Sequence, residues 1–183
     1  MPEFMKRLEG PGLVLRLIQP ADAQYVHGLR IDPAYNRHLS EVRGTAEDQR
    51  RWIEAYKARE AAGQEYYYVI ERRDDATRCG VVRLYDIKAD HFTWGSWILD
   101  ANKPPKAALE SAVLSFGAGF DLPGMSHALI DVRRANTHAE AFYRRFGMTE
   151  TSANSQDIFF IYARETFLRD RTSHLENVTR ATR

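Results

Sequence analysis

Ile130-Asp131-Val132-Arg133-Arg134-Ala135-Asn136-Thr137-His138-Ala139-Glu140-Ala141-Phe142-Tyr143-Arg144-Arg145-Phe146-Gly147-Met148 is the stretch whose reading decides the fold. It contains the end of a strand, Ala128 to Val132, and then a helix from His138 to Phe146. Upstream, Pro104-Pro105 precedes a longer helix through Leu109, Ala112, Val113, Phe116 and Phe120. Before that come two strands, Val81 to Ile87 and Phe92 to Leu99, joined by a tight polar connection and therefore antiparallel. The helix between the Phe92 and Ala128 strands makes that pair parallel, because a crossover returns the chain in the same direction.

The same reading extends to both ends. Leu13 to Leu17 is strand-like, and Pro20 opens a helix through Tyr25, Val26 and Leu29 that Asp32-Pro33 ends. Thr45 caps a second helix carrying Trp52, Ile53 and Tyr56 on one face, with Gly63 as its stop. Glu65 to Arg72 has the aromatic and β-branched content of a strand, and Asp157 to Tyr162 is the last strand. The order is strand, two helices, three strands, helix, strand, helix, strand. It predicts an α/β (α+β) fold, a mixed and mostly antiparallel sheet with helices on both faces. One domain covers residues 5–165, and residues 166–183 form a polar helix or tail in which Phe167 and Leu168 are the main apolar groups. That tail also offers a contact for a homodimer.

Composition narrows the function classes. The chain has 183 residues, 44% hydrophobic and 28% charged, as an ordinary globular domain does. A folded chain of this mass leaves about 9,000 Å² exposed, ample for a core without staples. Cys79 is the single cysteine, which excludes a disulfide framework and, with no neighbouring ligands, a zinc site; no metal is expected. With 26 basic and 25 acidic residues the net charge is +1, so no global field draws nucleic acid or an acidic membrane. Nothing reads as a spanning helix or signal peptide, and the expected location is the cytoplasm. Met1-Pro2-Glu3-Phe4 before Met5 is set aside from the fold.

The opening stretch also resembles the acetyl-CoA-dependent N-acetyltransferases of the GNAT superfamily, through Asn136, Ala139, Phe142, Tyr143 and Gly147, with Met148 where the family usually has Phe. The resemblance spans roughly Leu13 to Tyr162. It implies a central parallel pair splayed by a bulge at Gly95, where Trp97, Ile98 and Leu99 bond the cofactor's pantetheine arm. Taken from the residues alone, Gly95 could equally make room for Trp94 and Trp97. The resemblance also implies that Lys103-Pro104-Pro105-Lys106-Ala107-Ala108 replaces the family's glycine-rich pyrophosphate loop, here with the amides of Lys106, Ala107 and Ala108 at a helix start and two lysine charges. Asn136, Phe142 and Arg145 fall on the cofactor side. Tyr143 is implied as the acid that protonates the leaving thiolate; core packing is its bland alternative.

Amide formation needs an uncharged nitrogen and a stabilised oxyanion. Asp131 is the preferred base. It lies twelve residues before Tyr143, the spacing of an acid in GNAT enzymes that acetylate ribosomal-protein N-termini, although a strand carboxylate paired with Arg133 or Arg134 would look the same. His91 is the fallback base. The resemblance implies that Arg30 to Gly44 lines the acceptor side, where Arg30, Asn36, Arg37 and His38 favour a polar acceptor over a polyamine. The resemblance extends more weakly to GNAT enzymes acting on nucleotide-linked amino sugars, which makes acetyl transfer from acetyl-CoA to a small-molecule amine of that kind the expected reaction. Protein N-terminal acetylation and a non-catalytic CoA-binding module are the alternatives.

Overall fold

The computed structural model describes residues 1–180. Its strands are β1 (Arg7–Glu9), β2 (Leu13–Leu17), β3 (Tyr66–Arg72), β4 (Arg78–Tyr85), β5 (His91–Leu99), β6 (His127–Arg133), β7 (Thr149–Ala153) and β8 (Asp157–Ala163). Its helices are α1 (Ala23–Ile31), α2 (Ala46–Ala61), α3 (Ala107–Phe120), α4 (Thr137–Phe146) and α5 (Arg164–Thr179). The eight strands form one sheet in the order β1-β2-β3-β4-β5-β6-β8-β7. Every neighbouring pair is antiparallel except β5 and β6. This is the expected mixed sheet, and the accessible surface of 9719 Å² is close to the size-based expectation.

Two cores sit on opposite faces. On one, α3, α4 and α5 cover an aromatic cluster that includes Trp94, Phe116, Phe120, Tyr143, Phe146 and Phe167. On the other, α1 and α2 close over Ile53, Tyr56, Tyr67, Val69 and Val81. Thr45 caps α2 as expected, its hydroxyl accepting from the Asp48 amide while the Asp48 carboxylate accepts from the Thr45 amide. Gly147 ends α4 at φ 108, in the left-handed region where a side chain is strained, which is the physical reason for glycine in that motif.

Three local outcomes add to the sequence reading. Strands β1 and β7 were not expected: all five β7 residues are exposed, so no burial pattern marks them and hydrogen bonds to β8 alone define the strand. The tail is the helix α5 as far as Thr179, packed on α3 with Phe167 buried and Leu168 facing solvent; residues 181–183 lie outside the described residues. Met5 closes the bottom of the first core, its carbonyl accepting from the Tyr68 hydroxyl at 2.8 Å.

A buried carboxylate positions the start of α3. Glu110, in the first turn, accepts from the amides of Gly12 and Leu13 at 2.8 Å each, tying the β1–β2 turn to the helix. Gly10 and Gly12 pass so close to this carboxylate that a Cβ on Gly10 would lie 2.3 Å from its oxygen.

Candidate active site

The parallel pair is short. His91, Phe92 and Thr93 register with His127, Ala128 and Leu129, and beyond Thr93 the two strands part. The β4–β5 register slips between Val81 and Arg83, and Ser96 takes φ 49 at that point. The bulge thus falls where expected, but Ser96 is its left-handed residue. At Gly95 the Tyr85 hydroxyl would lie 3.2 Å from a Cβ, so the missing side chain gives room to Tyr85. The one extra residue brings both indoles to the α3 face, where Trp94 Nε1 donates to Ser115 Oγ at 2.9 Å and Trp97 Nε1 to Ser111 Oγ at 3.1 Å.

The parted strands open a cleft of about 280 Å³. Trp97, Ile98, Asn136 and Tyr143 line one side, and Arg30, His38, Tyr35, Tyr67 and Tyr85 the other, with Asp131 and Asp157 between them. Tyr143 is buried by an edge-on contact with Trp94 and a second with Phe160, and its hydroxyl makes no hydrogen bond among the described residues. Burial, reinforced by the Asp131 and Tyr85 charges, pushes its phenol well above the usual range, so it stays protonated.

Asp131 projects from β6 toward the cleft and pairs with neither Arg133 nor Arg134. Arg133 takes Asp157 at 3.4 Å instead, and Arg134 Nε donates to the Asn154 carbonyl at 2.6 Å. The Asp131 side chain remains open to the cleft, yet the surrounding walls remove enough water to raise its carboxyl above the ordinary aspartate value. The neighbouring Asp157 carboxylate adds to the rise, and the Asp131 amide and Arg133 oppose it. Tyr85 is raised by burial first and by Asp131 second. His91 is not at the site: its Nδ1 is 2.7 Å from Asp90, and its ring stacks on His127 at the closed end of the pair.

The remaining expected residues divide into groups. Lys103 and Lys106 are exposed at the start of α3, and Lys106 is its N-cap at φ 67, the left-handed geometry for which glycine is the easy residue. The Ala107 amide turns back to the Pro104 carbonyl at 3.3 Å and its side chain is buried, so the amides left without a backbone acceptor are those of Lys106, Ala108 and Leu109. Leu99 packs into the aromatic core and lies off the cleft. Asn136 Oδ1 caps α4 by accepting from the Ala139 amide at 3.2 Å. Phe142 packs on Trp97 with centroids 5.2 Å apart, and with Arg145 it lines a separate groove against α5.

Of the residues expected to meet the acceptor, Arg30 and His38 reach the cleft, Arg37 lies in an adjoining groove, and Asn36 sits in a different depression. Tyr35, Tyr67, Tyr85 and Asp157 were missed as lining residues. Only their convergence in space marks them, since in sequence Tyr67 and Tyr85 read as ordinary strand aromatics. Tyr35 also ties the two sides together, its hydroxyl accepting from the Ala101 amide at 3.0 Å just before α3.

A sheet parted at a β-bulge, with a helix N-terminus at one end and a buried tyrosine at the fork, defines an acyl-transfer fold, and comparison with known proteins agrees. The family model described as Acetyltransferase (GNAT) domain matches residues 12–149. No curated protein matches. Among solved structures, FdhC, described as a nucleotide-linked sugar GNAT in its apo form, is 34% identical with a TM-score of 0.85, covering 92% of this chain and 96% of that one. The ribosomal L7/L12 α-N-protein acetyltransferase RimL, solved with coenzyme A, is 17% identical with a TM-score of 0.72, over 86% of this chain and 97% of that one. The ribosomal-protein-S5-alanine acetyltransferase of Vibrio fischeri is 12% identical with a TM-score of 0.70, over 86% and 96%. The chain belongs to the GNAT acetyltransferase family and is an acyl-CoA-dependent N-acetyltransferase. No helix among the described residues is long and apolar enough to cross a membrane.

Proposed function

We propose that the chain transfers an acetyl group from acetyl-CoA to the primary amine of a nucleotide-linked amino sugar. The observation that carries the acceptor half is the charge at the cleft mouth. Arg16, Arg72, Arg78, Arg83 and Arg144 each hold a carboxylate, whereas Arg30 and Arg37 form no ion pair among the described residues. Guanidinium groups left free beside a cleft suit a phosphorylated ligand. The 34% identity to a nucleotide-linked sugar GNAT supports the same acceptor.

The residues present fit the cofactor. Lys103, Lys106 and the amides of Lys106, Ala108 and Leu109 would take its pyrophosphate. The edge of β5 freed beyond Thr93, at Trp97 and Ile98, would bond the pantetheine arm as an added strand does. Phe142 and Arg145 border the same side. Leu99, Ala107 and Asn136 support it by packing and by capping α4. Bound there, acetyl-CoA supplies an activated thioester.

Tyr143 holds a proton on its Oη at every working pH and gives it to the departing sulfur. Asp131 takes a proton from the acceptor nitrogen through a water, because the carboxyl is short and set back on its strand. A sugar amine is less basic than a lysine, so a carboxylate of modestly raised pKa suffices. The test is a panel of UDP- and dTDP-linked amino sugars, ribosomal-protein N-terminal peptides and polyamines. Turnover of peptides with no sugar acetylated overturns the proposal and favours the N-terminal acetyltransferase reading.

A further inference from the structure

The cleft does not end at its acceptor wall. His38, Leu39 and Arg133 line both the cleft and a second groove of about 410 Å³, which Arg37, Arg134 and Gln156 complete. Resting on the nucleotide-sugar reading above, we propose that this groove seats the acceptor's diphosphate and that Arg37 and Arg134 are its specificity-determining residues.

The charge pattern supports this. The groove lining contains three arginines and a histidine and no acidic residue. Arg37 is exposed and in no ion pair. Arg134 gives only its Nε to the Asn154 carbonyl, so its terminal nitrogens are uncommitted. Arg133 shares its charge with Asp157 at 3.4 Å and donates from its Nη1 to Gln156 Oε1 at 3.2 Å. Arg37 and Arg134, two like charges without matching acids beside the Arg133–Asp157 pair, repel one another, and a doubly charged group between them removes the repulsion. Their planar forks match phosphate oxygens in pairs.

The spacing fits as well. Asp131 and Arg133 are two residues apart on one face of β6, about 7 Å along the strand. One sugar ring bridges that separation, with its amine at Asp131 and its anomeric oxygen toward the groove. Arg30 lines the cleft but not the groove, so it approaches the diphosphate from the sugar side while Arg37 and Arg134 approach it from the groove.

The test titrates dTDP, UDP, inorganic pyrophosphate and thymidine into protein saturated with coenzyme A, and repeats the series with Arg37→Ala, Arg134→Ala and the charge-preserving Arg134→Lys. The three diphosphate-bearing probes, dTDP, UDP and pyrophosphate, should bind and thymidine should not. Each alanine variant should weaken dTDP about ten-fold, a loss typical of one charged hydrogen bond. Acetyl-CoA affinity should hold, the acceptor KM should rise more than kcat falls, and Arg134→Lys should recover part of the loss. If nucleotide-linked amino sugars are acetylated with an unchanged KM in both alanine variants, the groove assignment is wrong and the acceptor reading survives. Displacement of dTDP by coenzyme A puts the nucleotide in the cofactor's phosphate site and also overturns it. No nucleotide binding together with peptide turnover removes both.

Discussion

The two walls of the cleft are built on opposite principles. On the wall proposed for the cofactor, Trp94 and Trp97 are each hydrogen-bonded to a serine of α3, and Phe142, Tyr143 and Phe146 interlock behind them. On the acceptor side, the chain from Asp32 to Gly44 has no helix or strand, and two of its flanking arginines are unpaired. A dense aromatic wall holds its side chains in place by close packing, whereas a loop of polar groups gains its order from what it holds. The contrast fits the proposed division of the cleft into a cofactor wall and an acceptor wall.

The largest expected effect tests the fixed wall. Tyr143→Phe should lower turnover on the order of 10² to 10⁴ with acetyl-CoA affinity unchanged, read by single-turnover kinetics. A Phe variant of undiminished rate would reduce Tyr143 to packing.

Asp131, between the walls, comes next. Asp131→Asn should cost on the order of 10² in kcat/KM and remove the acidic limb of the pH profile. In the parent enzyme that limb should fall as pH drops through the raised Asp131 pKa, since protonation disables the base. Stability should move the other way. A carboxyl whose pKa rises on folding favours the folded state at low pH, and this contribution is lost as pH climbs through the folded value. Asp131→Asn should therefore raise Tm at pH 7, with the difference shrinking below about pH 4. An unchanged Tm difference across that range would contradict the raised pKa.

Smaller effects separate the walls further. Replacing Lys103 and Lys106 together by Ala should weaken acetyl-CoA roughly five- to ten-fold in calorimetry, and the loss should fade in high salt, as expected of exposed charges at a helix start. Ser111→Ala should destabilise the fold by about 1 kcal/mol by freeing Trp97 Nε1, without raising the acceptor KM. Arg30→Ala should show the reverse, a raised acceptor KM at an unchanged urea midpoint. Equal behaviour of these last two would dissolve the contrast between a packed wall and a recognising one.

The order of elements apart from β1 and β7, the parallel pair, the Thr45 cap and the motif at Asn136 to Gly147 were set by local sequence, because periodicity, caps and turn residues act over a few positions. So was the tyrosine at the fork, through its motif. Tertiary structure decided the rest. It placed Ser96 rather than Gly95 in the left-handed bulge, and it committed the Ala107 amide to Pro104. It drew Arg133 to Asp157 and so left Asp131 unpaired, and it sent His91 to the far end of the sheet. It also brought Tyr35, Tyr67 and Tyr85, drawn from a loop and two strands, onto one wall. Each of these outcomes depends on which groups meet across the sheet. Partner choice between Asp131, Asp157 and three nearby arginines is a matter of a few ångströms in space that no spacing along the chain encodes.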